Sequence, residues 1–106
     1  GSDIIFLNMA CNYLALGDNA VSIEWSQRAV DEGGQHVNNF SNLAMAHANL
    51  GHVERAAHFA NEYKQRSLKA GSTGRIEKLD GGESPAWIKY YNEHYLPEWR
   101  KAGLPE

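Results

Sequence analysis

Apolar side chains recur at helical spacing through most of the chain. Residues 4–16 carry Ile5, Phe6, Met9, Tyr13 and Leu16, mostly three or four apart, which is one face of an α-helix. Gly17 ends that run, because glycine takes the left-handed conformation that closes a helix without a Cβ penalty. Asp18 then stands where a side-chain oxygen can accept a hydrogen bond from the first amides of a second helix, residues 19–31. Val21, Trp25 and Val30 fall near one face of it, with Ile23 and Ala29 beside them, and Gly33-Gly34 breaks it. The cycle then repeats: a helix over 37–50, a stop at Gly51 and a helix over 53–69. Glu24 with Arg28 and Glu62 with Arg66 are spaced to pair on exposed faces.

The recurrence extends to residue identity. Displacing the chain by 34 places sets Phe6 on Phe40, Asn8 on Asn42, Ala10 on Ala44, Leu16 on Leu50 and Gly17 on Gly51, five identities in the twelve positions 6–17. Composition alone gives roughly one. Each class has a steric task. Ala10 and Ala44 sit midway along the first helix of each pair, where bulk would push two helices apart. Trp25 and its counterpart Phe59 are large enough to fill the space between successive pairs.

Residues 71–83 lose this periodicity and hold four glycines, so they predict a loop, with one helical turn near 75–79. Ser84-Pro85 is a start signal, a capping hydroxyl followed by proline at the first helical position. A last helix is predicted over 86–95, with Trp87, Tyr91 and Tyr95 four apart. Pro97 should end it, since proline disfavours helix at the preceding residue. Glu98 to Ala102 is left as a further short turn. The sequence therefore predicts an all-α chain: two helix pairs, residues 3–36 and 37–70, a loop at 71–83, and an aromatic segment at 84–106. Gly1-Ser2 reads as the remnant of a cleaved expression tag, and the helical pattern already running at Asp3 as part of a longer protein.

Two stretches resemble known families. Residues 3–70 resemble two tetratricopeptide repeats, through Ala10 and Tyr13, Leu16-Gly17, Trp25 and Ala29. The second copy keeps Ala44, Leu50, Gly51, Ala56 and Phe59, but has His47 where tyrosine is usual and Tyr63 where alanine is usual. Gly34 stands where a boundary proline is usual. The tail, Trp99-Arg-Lys-Ala-Gly-Leu-Pro-Glu106, is similar to the closing segment of many bacterial class III adenylate/guanylate cyclases and related regulators that end in such repeats, with Trp99 in the place of leucine. The resemblance implies a right-handed solenoid of two antiparallel hairpins closed by a capping aromatic helix. It also implies a cytoplasmic interaction module, the regulatory C-terminal part of a bacterial signalling protein with a cyclase or DNA-binding domain upstream.

Charge and composition narrow the chemistry. The formal charge is −3, and the ten Lys and Arg residues are dispersed from Arg28 to Lys101 among acids, so no basic patch points to nucleic acid. The single cysteine, Cys11, rules out an intrachain disulfide. No apolar run approaches the ~20 residues of a membrane helix. His36, His47, His52, His58 and His94 include no i,i+4 pair, and the expectation is that no metal is bound. No acid–base pair, activated nucleophile or cofactor loop stands out, so neither catalysis nor a cofactor is expected of this chain.

In the repeat family the first helix of each pair lines a concave groove. That register places Ile4, Leu7, Asn8, Cys11, Leu14 and Ala15 there from the first copy, and Asn38, Ser41, Asn42, Met45, Ala48 and Asn49 from the second. Asn8 and Asn42 are the sharpest pair, because a carboxamide donates and accepts and can hold the backbone of an extended peptide. These positions include no basic residue, which favours a neutral or apolar partner over an acidic chain terminus. The expected partner is a protein or peptide, or another domain of the parent chain. Trp87, Tyr91, Tyr95 and Trp99 form a stripe that caps the stack as core, or else serves as a dimerisation or docking surface with no free peptide ligand.

Overall fold

The structure, a computed structural model, describes residues 2–106; Gly1, half of the expected tag remnant, lies outside the described residues. The described chain is all-helical: α1 Ser2–Ala15, α2 Asn19–Asp31, α3 Asn38–Asn49, α4 Val53–Lys69, then α5 Pro85–Tyr90, a π-helical stretch Tyr91–Tyr95 and α6 Leu96–Lys101. The two predicted pairs form. Their connections are built alike: Gly17 (φ 81°) donates to the Leu14 carbonyl and Asp18 to that of Tyr13, while Gly51 (φ 79°) donates to Ala48 and His52 to His47. This double bond at a left-handed glycine satisfies carbonyls that a helix end leaves open. Asp18 also accepts from the Val21 amide, as predicted.

Within each pair the helices run antiparallel. Ser22 donates to the Ala10 carbonyl at 2.8 Å, and Phe6 meets Trp25 at 5.4 Å between ring centroids, so advancing along α1 means retreating along α2. In the second pair His47 stacks on Phe59 at 5.5 Å and Arg66 lies over Phe40. The repeated phenylalanines share an environment, since Arg28 covers Phe6 as Arg66 covers Phe40. Ala10 and Ala44 are both wholly buried, the close-approach role that their spacing predicts. Arg66 pairs with Glu62 at 3.1 Å. Arg28, in contrast, spreads its guanidinium over Phe6 and Trp25.

Three expectations are corrected. Trp25 and Phe59 pack within their own pairs on Phe6 and His47, not between pairs. The fully buried residues of α2 are Ser22, Ser26 and Ala29, because α1 approaches so closely that only small side chains fit; Val21, Ile23, Trp25 and Val30 flank them, half-buried. Pro97 does not end the last helix. Leu96 keeps helical angles (φ −64°, ψ −46°) and donates five residues back to the Tyr91 carbonyl. The widened π turn accommodates a ring that would clash with the carbonyl four residues earlier.

The segment at 72–83 has no helical turn, yet it is pinned. Ile76 is buried, its amide donates to the Pro105 carbonyl at 3.0 Å, and Tyr63 and Tyr91 hydroxyls donate to the Gly74 and Glu77 carbonyls. This anchoring turns the last helix back so that α6 lies on α3. Trp99, 2% exposed, meets Tyr63 edge-on at 5.5 Å and donates its indole N–H to Pro105 at 2.6 Å. Principal-axis extents of 36, 31 and 30 Å agree with a fold doubled back on itself rather than a stack lengthened by a further element.

Candidate functional site

The fold-back creates one large concavity, about 600 Å³, between the first helices of both pairs and the C-terminal third of the chain. One wall is rich in carboxamides: Asn12 from α1, with Asn38, Ser41 and Asn42 from α3. The opposite wall is aromatic, made by Trp87, Tyr90, Tyr91 and Tyr95. The 72–83 segment supplies the rim, including Arg75, Glu77 and Lys78. Helical spacing explains the aromatic wall, since residues 87, 91 and 95 share a face and the π turn brings Tyr90 beside Tyr95 at 6.5 Å.

The two surfaces predicted from sequence thus meet in one cleft. Cys11, Leu14, Asn38, Ser41 and Asn42 line it, with Ala15, and so do all four of Trp87, Tyr91, Tyr95 and Trp99. Other predicted groove positions lie elsewhere. Leu7 and Met45 are core, and Ala48 is buried within α3. Ile4 and Asn8 are exposed outside the lining. Asn49 is consumed by structure: its amide donates to Asn19 at 3.0 Å and to the Glu98 carboxylate at 2.7 Å, fastening α6 to the hairpins. The symmetric pair Asn8 and Asn42 is unequal in the fold. Asn42 is only 4% exposed while Asn8 faces solvent, because the C-terminal segment covers α3 and leaves the outer part of α1 bare.

Asn42 donates to the Cys11 sulfur at 3.2 Å, a weak acceptor. Asn12, Asn38, the Trp87 indole N–H and the Tyr90 and Tyr95 hydroxyls have no side-chain hydrogen-bond partner among the described residues. Burial, reinforced by the neighbouring Tyr63, pushes the Tyr95 phenol up to about 12, and burial with Glu98 nearby raises Tyr90. Both therefore stay neutral O–H donors at physiological pH. The Glu83 carboxylate is engaged by the Asp80 and Gly81 amides at 3.0 Å each.

Asn12, Tyr90, Arg75 and Lys78 were not singled out by their pattern. Asn12 follows Asn8 at i+4, a signal that could have found it. The basic rim residues sit in a glycine-rich loop whose path is fixed only by tertiary contacts. Of the aromatic stripe, Trp99 and Tyr91 are buried, Tyr95 is half-buried, and Trp87 is 42% exposed. Among the described residues no group of three or more His, Cys, Asp or Glu side chains is placed to hold a metal ion, and no helix is long and apolar enough to cross a membrane. Comparison of the chain with protein families, with characterised proteins and with solved structures finds no match.

Proposed function

We propose that this chain is a protein-interaction module of tetratricopeptide type, the cytoplasmic C-terminal regulatory segment of a bacterial signalling protein such as an adenylate or guanylate cyclase. The repeat reading is supported by the 34-residue recurrence, the matched glycine turns and the shared Arg-on-Phe packing of the two hairpins. The function rests on one observation: a cleft of about 600 Å³ with unpaired carboxamides on one wall and aromatic rings on the other. Such a pairing suits a short extended segment, whose backbone takes the amides and whose side chains take the rings. The cleft's one thiol, Cys11, accepts a hydrogen bond from the Asn42 carboxamide, a partner that does not activate a nucleophile, and this supports a binding role.

The test is selection from a displayed random-peptide library, with the winning peptide titrated by calorimetry. Asn12 and Asn38 are both exposed, so the Asn12→Ala/Asn38→Ala double variant should fold normally and bind at least tenfold more weakly. Equal affinity of double variant and parent would remove the cleft from this role. The burial of Trp99 and the Asn49–Glu98 bond favour a second reading, in which the last helix is purely a cap and the chain holds or dimerises its parent. Failure of any peptide to bind, with concentration-dependent self-association that Trp87→Ala abolishes, would select that reading.

A further inference from the structure

We infer that the outer face of α1 is a homodimer interface, on which a second copy of this chain lays its own α1 antiparallel. Pairing there does not depend on what the cleft binds. Apart from Asn8 and Asn12, every residue from 4 to 16 is apolar, aromatic or cysteine. A helix apolar around its whole circumference is normally buried on all sides, and α1 is not. Ile4 (48%), Ile5 (60%) and Leu16 (78%) are exposed, and so are Asn8, Asn12 and Ala15. Its counterpart in the repeat, α3, is buried at every position from 39 to 48.

The order of side chains on that face decides what covers it. At about 100° per residue, positions 4, 5, 8, 12, 15 and 16 fall within about a third of the helix circumference. Leu16 continues the last turn by donating to the Asn12 carbonyl at 3.1 Å. From either end the face has the same chemistry: two apolar residues, an asparagine, an asparagine, two apolar residues, symmetric about residue 10. A two-fold interface needs a patch that complements itself. About an axis level with Ala10, antiparallel pairing sets Ile5 against Leu16 of the second copy, Ile4 against its Ala15, and Asn8 beside its Asn12. Asn8 and Asn12 have no side-chain hydrogen-bond partner among the described residues. Across the axis each carboxamide can both donate and accept.

Residues 4–17 contain no Asp, Glu, Lys, Arg or His, so identical faces meet without repulsion, while a charged partner would find no counter-charge. A head-to-tail stack of copies fits less well. It would set α1 on α4, the counterpart of the α2 that covers α3. Yet α4 carries exposed Lys64 where α2 presents Val30 to the core. Asn12 and Ala15 also border the cleft, so the second copy's α1 runs along the cleft's rim.

Sedimentation equilibrium of the full chain from about 10 µM to about 1 mM should show the mass rising from 11.8 kDa towards twice that and no further. Ile5→Glu alone and Leu16→Lys alone should each weaken association by about tenfold or more, because a charge then faces an apolar side chain. Combined in one chain, the two substitutions bring opposite charges together across the axis and should recover most of the loss. Both sites are exposed, and an acid near the start of a helix and a base near its end suit the helix dipole, so far-ultraviolet circular dichroism should be unchanged. Trp87→Ala, on the aromatic wall, should leave the dimer intact. A parent chain that stays monomeric, growth beyond the dimer, single variants that associate like the parent, a combined variant no better than either alone, or loss of association in Trp87→Ala overturns the inference.

Discussion

Replacing Trp99 tests whether the C-terminal helix is part of one cooperative unit. Its ring is 2% exposed, packs edge-on against Tyr63 at 5.5 Å and tilted on Tyr95 at 5.9 Å. Trp→Ala in a packed core costs about 3–5 kcal/mol. The lost indole bond to Pro105 lies within that range, because the Ile76 amide still satisfies the carbonyl. A domain of this size is stable by about 5–15 kcal/mol, and each kcal/mol moves its Tm by about 4–8 °C. Trp99→Ala should therefore lower Tm by roughly 15 °C or more. Trp99→Phe, which keeps the ring on Tyr63 and loses the N–H, should cost about 1–2 kcal/mol. Urea denaturation followed by far-ultraviolet circular dichroism measures both. A cost below about 1 kcal/mol for Trp99→Ala would show that residues 85–101 are not fixed to the hairpins, and the cleft would lose its aromatic wall.

Three further outcomes follow from the core and the turns. Ser22→Ala removes the bond to the buried Ala10 carbonyl and should destabilise by about 1 kcal/mol. Ser26→Ala deletes a buried hydroxyl with no partner and should be neutral or stabilising; equal costs in urea titrations would contradict the packing of α1 on α2. A Cβ at Gly34 would lie 2.6 Å from the Ala29 carbonyl oxygen, so Gly34→Ala should cost about 1–3 kcal/mol. Gly82→Ala, whose Cβ would meet only the Asp80 side chain at 3.3 Å, should cost much less, and thermal melts separate the two. His47 is held below its ordinary 6.5, by burial first and then by the neighbouring His52 and Arg55. The unfolded chain therefore takes up the proton more readily. Stability from this site is full above pH 6.5 and declines as pH falls from there towards the lower folded value. His47→Gln should flatten that slope between pH 7.5 and 5, and an unchanged slope would assign it to other groups.

The hairpins were legible because their signals are local. Glycine turns, a capping aspartate and apolar spacing lie within a few residues of what they control, and the boundaries of α2 and α4 coincide with those predicted. The serine seam of α2 was not, since Ser22 and Ser26 carry no apolar signature and owe their burial to the approach of Ala10. Pro97 misled for a similar reason. The rule that proline stops a helix assumes a regular preceding turn, and the π turn at 91–95 removes that premise. The cleft was half readable. Repeat register brought Cys11, Leu14, Asn38, Ser41 and Asn42 to one side, and helical spacing brought the aromatic residues to one face. That these would confront each other depends on where residues 72–83 lead the chain, a path set by Ile76, Tyr63 and Tyr91 through contacts distant in sequence. The inequality of Asn8 and Asn42 has the same origin.

The grip on the Pro105 carbonyl has a consequence for chain cleavage. Ile76 and Trp99 reach the same oxygen from opposite sides of the exposed stretch 80–82, and the Tyr91 hydroxyl spans that stretch to Glu77. A protease cutting there would sever the backbone but not the clasp. The two fragments should elute together from a sizing column and come apart only in denaturant.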